Sequence, residues 1–461
     1  MRRRDVRAIP EVRMNRLLRF FATGEARPRL QDPARVEQLY RRHRTRIMIA
    51  ITAGYALAYT CRLGLDVVKK PLIDGGIFTA DQLGVIGSAV FYAYAFGKLI
   101  NGFLTDHANI KRFFAVGVFL SAVMNLLMGW STLLWVAVVL WGLNGWFQSF
   151  GAPSGVVAMS QWFSNRERGR FYGIWSTAHP LGEGLTFVGS AALVTYFGWR
   201  GGFVGPGLMG LVVAAAIFLL VQDRPATLGL PTVAEWKDDH LASTAAGAST
   251  STWRTQLSIL KLPSIWVLAL ASATMYMTRY AMSSWGMLYL QEAKGYSGLQ
   301  SGGLLALYPL AGLVGCVSYG FISDGLFQAK RPPLNLICAV LELVALAVLF
   351  FGPPGHTVLL AGAFMLYGFS ISGLITSLGG LFAVDIAPKR ASGAAMGFIG
   401  VFSYLGAALQ ERVSGYLIQQ GTTMVQGVRH YDFHTVIIFW MGTSVLSMIL
   451  AASLWGVRAS D

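Results

Sequence analysis

Gly102-Phe103-Leu104-Thr105-Asp106 closes one long apolar run, and Gly320-Phe321-Ile322-Ser323-Asp324 closes another at an offset of roughly 220 residues. Gly169 and Gly173 return at nearly the same offset as Gly393 and Gly397. A chain that repeats itself once, with apolar runs around each repeat, predicts two equivalent halves. Between them, residues 223–263 are polar, rich in Ala, Ser and Thr with mixed charge, which suits a linker.

The 461 residues are 54% hydrophobic and only 13% charged, with mean hydropathy +0.53. No soluble domain of this length combines so many apolar residues with so few charges, so the solvent is lipid. A span needs roughly 20 apolar residues. Such stretches fall near 47–68, 84–106, 113–130, 133–153, 170–193 and 201–221, then near 264–291, 299–324, 334–352, 356–380, 391–419 and 434–457. The reading is an all-α membrane protein with the major facilitator fold: twelve transmembrane helices in two pseudo-symmetric six-helix bundles that rock against each other. Its parts are a basic N-terminal segment 1–46, an N-terminal bundle 47–222, the linker 223–263, and a C-terminal bundle 264–461 with a short tail.

The net charge of +15 does not point to a nucleic acid partner, because the basic residues gather at the chain start and in alternate short loops. Arg41, Arg42, Arg44 and Arg46 end a juxtamembrane cluster that begins at Arg2. His107, Lys111 and Arg112, then Arg166, Arg168 and Arg170, then Lys330 and Arg331, then Lys389 and Arg390 fall on the same side. That excess predicts both termini in the cytoplasm of a bacterial inner membrane, with the bilayer itself as a partner. Lys69, Lys70, Arg200, Lys294 and Arg429 are the exceptions expected on the outer side. The first apolar stretch is full-length with no small-residue cleavage site after it, unlike a secretory signal. Cys61, Cys316 and Cys338 have no paired spacing, so neither a disulfide nor a metal site is expected, and no cofactor.

Two charges stand where lipid should exclude them. Arg62 lies inside the first predicted helix, and Arg279 inside the seventh, again at the repeat offset. An arginine at the bilayer centre costs about 2.5 to 3.5 kcal/mol on insertion scales, and it cannot shed its proton. At equivalent places in the halves, the two should face each other across a central cavity, where their planar forks match phosphate oxygens. The competing reading is a structural ion pair, and Asp66, one turn beyond Arg62, is the candidate partner. Lys98 either extends the positive field or pairs with an acid in its own half. His179, the only histidine well inside a predicted helix, binds phosphate, carries a proton or packs. Tyr55, Tyr59, Tyr276 and Tyr404 can donate to an anion while packing against apolar neighbours. Asp106 with Arg112, and Asp324 with Arg331, sit at helix ends as candidate gating pairs rather than ligands.

These residues carry a likeness. Gly54-Tyr55 leads to Arg62; Trp146-Phe147-Gln148 precedes Gly151 and Pro153; Glu167-Arg168-Gly169 precedes Trp175 and Ala178-His179. Asp223-Arg224-Pro225 with Gly229-Leu230-Pro231 follow, then Arg279 with Trp285 and Tyr289-Leu290. Ala387-Pro388-Lys389 leads on to Gly397-Phe398 and Tyr404-Leu405-Gly406. In order and spacing the chain resembles the organophosphate:phosphate antiporters, the group of glycerol-3-phosphate and hexose-phosphate transporters and the hexose-phosphate sensor. The likeness covers nearly all of 47–457. It implies that Arg62 and Arg279 bind phosphate, that His179 contributes, and that an organic phosphate exchanges for inorganic phosphate. Gly54-Tyr55-Ala56-Leu57 and Val233-Ala234-Glu235-Trp236 look closest to the sensor branch.

Three residues depart from that pattern: Leu63 where a basic residue is expected, Ser284 where an acid is expected, and Glu183 where a glycine is expected. Asp66 lies one turn beyond Arg62, Glu183 one turn beyond His179, and Glu411 two turns beyond Tyr404, on the outer side of the proposed site. Three explanations compete for these acids: recognition of a cationic group on a phosphoryl ligand, internal charge balance of Arg62 and Arg412, and proton coupling. Function divides accordingly into a transporter of an organophosphate or phosphonate exchanging it for inorganic phosphate, a sensor of external sugar phosphate that signals to a membrane kinase, or a proton-coupled carrier of another organic anion. An enzyme is not expected, because no phosphate loop, metal-ligand spacing or nucleophile motif occurs in a soluble region.

Overall fold

The computed structural model describes residues 16–239, 258–328, 330–387 and 391–457. Lys389, Arg390, the arginines before Arg16 and the middle of the linker lie outside these. A short α1 (Arg16–Phe21) precedes α2 (Pro33–Asp74), α3 (Ala80–His107), α4 (Ile110–Met128), α5 (Leu134–Gln148), α6 (Gly151–Trp162), α7 (Asn165–Ser176) and α8 (Ala178–Leu220). After α9 (Val233–Trp236) come α10 (Pro263–Glu292), α11 (Gly298–Leu326), α12 (Arg331–Phe351), α13 (Thr357–Thr376), α14 (Phe382–Ile386), α15 (Ser392–Gln420) and α16 (His434–Ser453).

Local chemistry sets the helix starts. Asp32 caps α2 by accepting from the Ala34 N–H, with Pro33 in the first turn. Thr79 and Gln82 form a capping box on α3, and Ser297 and Gln300 form the same box on α11, so the repeat extends to the caps. Inside α8, Gly198 adopts φ 68° and ψ −173°, a conformation that only glycine takes without strain. The chain doubles back there, bringing Gly201 against the Leu193 carbonyl.

Nine helical stretches among the described residues are long and apolar enough to cross a membrane. One of them, Asn165–Leu220, is the pair of antiparallel arms about Gly198. With α10 and the interrupted rod α5–α6, they make six long rods on each side of the linker. The boundaries differ from expectation in four places. The first rod starts at Pro33 rather than near 47. The fourth breaks at Ser149–Phe150 and runs on to Trp162. The tenth passes through a wide turn at Ser377–Leu381 before ending at Ile386. An antiparallel β-hairpin, β1 (Thr422–Val425) and β2 (Val428–Tyr431), joins α15 to α16 where only a loop was expected.

The start of the linker is not a free tether. Tyr40 stacks on Trp236 at 4.0 Å between ring centres, Arg29 pairs with Glu235 at 3.1 Å, and Asp223 accepts from the Ile110 N–H at 3.0 Å. The first turns of the linker are thereby sewn onto the N-terminal half.

The halves meet along α3 with α15, α8 with α11, and α2 with α10. Without a hydrophobic drive between helices in lipid, such contacts depend on close backbone approach. Gly84 and Gly415 supply it: a Cβ on Gly84 would lie 2.7 Å from the Glu411 carbonyl and 3.0 Å from the Gly415 Cα. Among the described residues, every hydrogen bond and ion pair joining the halves lies at the level of Arg62 and Arg279, or beyond it toward the β-hairpin. Toward the linker, nothing lies within 4 Å of a Cβ built on Gly102, Gly173, Gly320 or Gly397. The molecule is closed at its hairpin end and parted at its linker end.

Candidate functional site

The polar side chains of α4 and α5 hold the middle of α2 in place. Asn125 and Asn144 both donate to the Cys61 carbonyl, at 2.7 and 2.9 Å, and Gln148 donates to the Ala58 carbonyl at 3.0 Å. In a medium without water these amides have few other partners, so the contacts fix the rotation of α2 and aim Arg62 at the centre.

Arg62 is 3% exposed. Its guanidinium carbon sits 4.0 Å from the ring centre of Tyr94, with Tyr59, Tyr404 and Phe91 at 5.3, 5.4 and 5.9 Å. It donates to the Tyr280 hydroxyl at 3.4 Å, and its Nε has no partner. Among the described residues no carboxylate lies within ion-pair distance of it. The expected alternative, a pair with Asp66, is not formed. Asp66 instead accepts from Ser284 at 2.6 Å and faces Lys69 at 3.5 Å. Aromatic faces supply what charge balance Arg62 has, each contributing about 0.5 to 2 kcal/mol.

Arg279, on α10 and 4% exposed, stands in a different setting. It donates to Glu183 at 3.2 Å and lies 3.0 Å from His179 Nε2, which also meets the Tyr59 hydroxyl at 2.7 Å. Glu183 also accepts from Tyr308. His179 keeps 30% of its side chain exposed. Lys98 is exposed, with its Nζ 5.6 Å from the Tyr404 ring centre and no acid paired to it among the described residues. Of its two readings, the geometry fits the one in which it extends the positive field. Tyr404 thus lies between Arg62 and Lys98, and Tyr276 packs 5.6 Å from it. Tyr55 packs on Trp175 at 5.5 Å and on Tyr59 at 6.2 Å.

The structure therefore brings Arg62, Arg279, His179, Lys98, Tyr59, Tyr276 and Tyr404 into one contiguous cluster, with Tyr55 packed on Tyr59. Three cations against one acid, Glu183, leave a surplus of positive charge that a multiply charged anion balances. Asp66 and Glu411 stand apart, one layer nearer the hairpin, where both engage Lys69. Lys69 was expected as an outer loop charge but is 0% exposed within α2. None of the three acids is free to meet a cationic group on a ligand in this conformation, and Arg412 pairs with Asp81.

The candidate gating pairs differ between the halves. Arg331 pairs with Asp324 at 2.7 Å and with Asp385, which sequence reasoning missed, at 2.8 Å. Arg112 instead donates to the Phe20 carbonyl at 2.8 Å, and the Asp106 carbonyl accepts from Arg224. Both sets lie within one half, so neither clamps the halves together here. Tyr94, Tyr280, Tyr308, Asn125 and Asn144 were also missed. The signal for the amides was in the sequence: Asn and Gln recurring inside apolar runs need partners.

Residues 43–410 match the model of the Major Facilitator Superfamily. The chain is 33% identical over 437 residues to the "Membrane sensor protein UhpC" of Salmonella typhimurium, covering 94% of this chain and 97% of that one. It is 31% identical to the "Glycerol-3-phosphate transporter" of Bacillus subtilis, covering 96% and 99%, and 29% identical to a "Probable hexose phosphate transport protein" of Chlamydia trachomatis, covering 92% and 94%. In shape it is similar to a bacterial homolog of the lysosomal transporter Spinster in its inward-facing, occupied form, with TM-score 0.70, 15% identity, and 90% and 96% of the chains covered. The nucleoside transporter NupG is similar at TM-score 0.66 and 14% identity, with 89% and 100% of the chains covered. Closed at one end around buried cations and open at the other, and built on the repeat announced by its own sequence, the chain belongs to the Major Facilitator Superfamily of membrane transport proteins and is not an enzyme.

Proposed function

We propose that this protein carries a small organophosphate or phosphonate across a bacterial inner membrane, in exchange for inorganic phosphate, by alternating access. The observation that carries the reading is Arg62, buried, without an acid partner among the described residues, and ringed by tyrosines that can donate to the same ligand. The charge surplus over Glu183 suits a phosphoryl dianion docking from the parted end onto Arg62 and Lys98, with Arg279 and His179 completing the site. The similarity to sugar-phosphate and glycerol-phosphate transporters supports that cargo class. Both termini and the linker face the cytoplasm in this reading, so the parted end is the cytoplasmic one. A ligand shifts the halves only by its differential affinity for the two states: it binds where closure brings the opposing cations together.

A second reading is favoured by the 33% identity to a membrane sensor: the same site binds an external sugar phosphate, and the chain signals to a membrane kinase with little transport. One experiment separates them. Proteoliposomes loaded with inorganic phosphate should take up labelled phosphate by counterflow, and glycerol 3-phosphate or glucose 6-phosphate outside should compete. Saturable phosphate binding without counterflow identifies the sensor. Uptake that follows the proton gradient and ignores internal phosphate removes both.

A further inference from the structure

On the linker side, and within the N-terminal half alone, the end of α6, the start of α7 and the first turns of the linker line a cavity of about 370 Å³. Small-ligand sites occupy roughly 300 to 1,000 Å³. None of its lining residues belongs to the central cluster, and its wall includes Ser160, Ser164, Arg168, Arg224, Thr232 and Asp239. Three of these carry charge, and no two of them pair.

Arg168 spends one terminal nitrogen on the Ser160 and Phe163 carbonyls, both at 3.4 Å, and Arg224 gives one to the Asp106 carbonyl at 2.7 Å. Glu167, the acid next to Arg168 in sequence, is taken by Arg44 at 2.6 Å. Among the described residues neither guanidinium pairs with a carboxylate, and the Nε of each is buried with no partner. Asp239 is 2% exposed. Its Oδ2 accepts from the Asn165 N–H at 2.8 Å, in the first turn of α7, while its Oδ1 is buried without a partner.

Guanidinium groups keep their charge at neutral pH, so carbonyls alone leave these two short of an anion. The chain just past Asp239 brings none, since residues 240–257 contain neither Asp nor Glu. Asp239 makes the opposite demand. Its carboxylate repels a bare anion, and its free oxygen calls for a hydrogen supplied by an occupant. A ligand that answers both demands is anionic at one end and carries a hydroxyl or ammonium at the other. A phosphoryl group offers three acceptor oxygens, enough for two separate guanidinium groups, where a carboxylate offers two.

We propose that this cavity is a second ligand site, for a phosphoryl group that carries a hydroxyl or ammonium donor. The phosphoryl oxygens meet Arg168 and Arg224, and the donor reaches Asp239. A soluble organophosphate and the headgroup of phosphatidylethanolamine share that chemistry. The assignment does not depend on what the central site carries.

Two measurements on purified full-length protein separate the sources. Equilibrium dialysis in phosphatidylcholine nanodiscs counts labelled O-phosphoethanolamine, and native mass spectrometry of protein taken from its membrane detects retained phosphatidylethanolamine. The parent should hold one equivalent of one or the other that the double variant Arg168→Gln, Arg224→Gln does not. In Asp239→Asn the ethanolamine compound should bind at this site at least roughly tenfold more weakly, while inorganic phosphate binds no more weakly than in the parent. That divergence between probes is one that mere loss of folding does not produce. Equal occupancy in the parent and the double variant by both measurements, or equal weakening of both probes in Asp239→Asn, overturns the proposal.

Discussion

Arg62 and Arg279 occupy matching places in the two halves, yet their surroundings differ. Arg62 sits among rings, with no carboxylate at ion-pair distance among the described residues. Arg279 is held by Glu183, which in turn accepts from Tyr308. Duplication placed both guanidinium groups, but one glutamate on α8 makes the site lopsided. In this conformation the free positive charge lies on the side of Arg62, Tyr404 and Lys98, while the Arg279 side is close to neutral. A repeat therefore predicts where charges stand without predicting whether they are free to bind.

Three substitutions sharpen or break that contrast, each read as the dissociation constant for inorganic phosphate in purified full-length protein. The largest effect belongs to Arg62→Ala. Losing a bidentate charge-assisted contact of about 3 kcal/mol weakens binding ~100-fold, and a loss smaller than that of Arg279→Ala would reverse the proposed ranking. Glu183→Gln comes next, with the opposite sign. It releases Arg279 for the ligand, so binding should tighten by about tenfold, on the order of one charged hydrogen bond; weaker binding would show that Glu183 holds Arg279 in its working position. The smallest is Tyr94→Leu, which removes the ring nearest to Arg62. A cation–π contact of about 0.5 to 1 kcal/mol corresponds to a change of roughly threefold. No change in affinity would assign that ring to packing alone.

Much of this was legible beforehand for identifiable reasons. Apolar length, the Gly-x-x-x-Asp repeat and the two intramembrane arginines are local features, so a reader of the chain finds the halves and the central cations directly. The capping boxes at Thr79 and Ser297 carry the same repeat in residues adjacent in sequence. Lys69 was misplaced because a lysine near the end of an apolar run looks like a loop residue. Only α15, arriving some 340 residues later with Glu411, gives that lysine a reason to be buried. The β-hairpin escaped because Gln426-Gly427 is a weak turn signal, although both residues take positive φ, 51° and 80°.

The sequence by itself determined the solvent, the count of long apolar segments, the twofold repeat and the identity of the buried cations, since hydropathy and charge are properties of residues and their order. Which cation has a partner, which end of the bundle is shut, and which acids gather round the buried Lys69 were decided only when distant helices came together. Ion pairs and closed gates are relations between segments, and in a low-dielectric interior a few ångströms between α2, α8, α10 and α15 settle them.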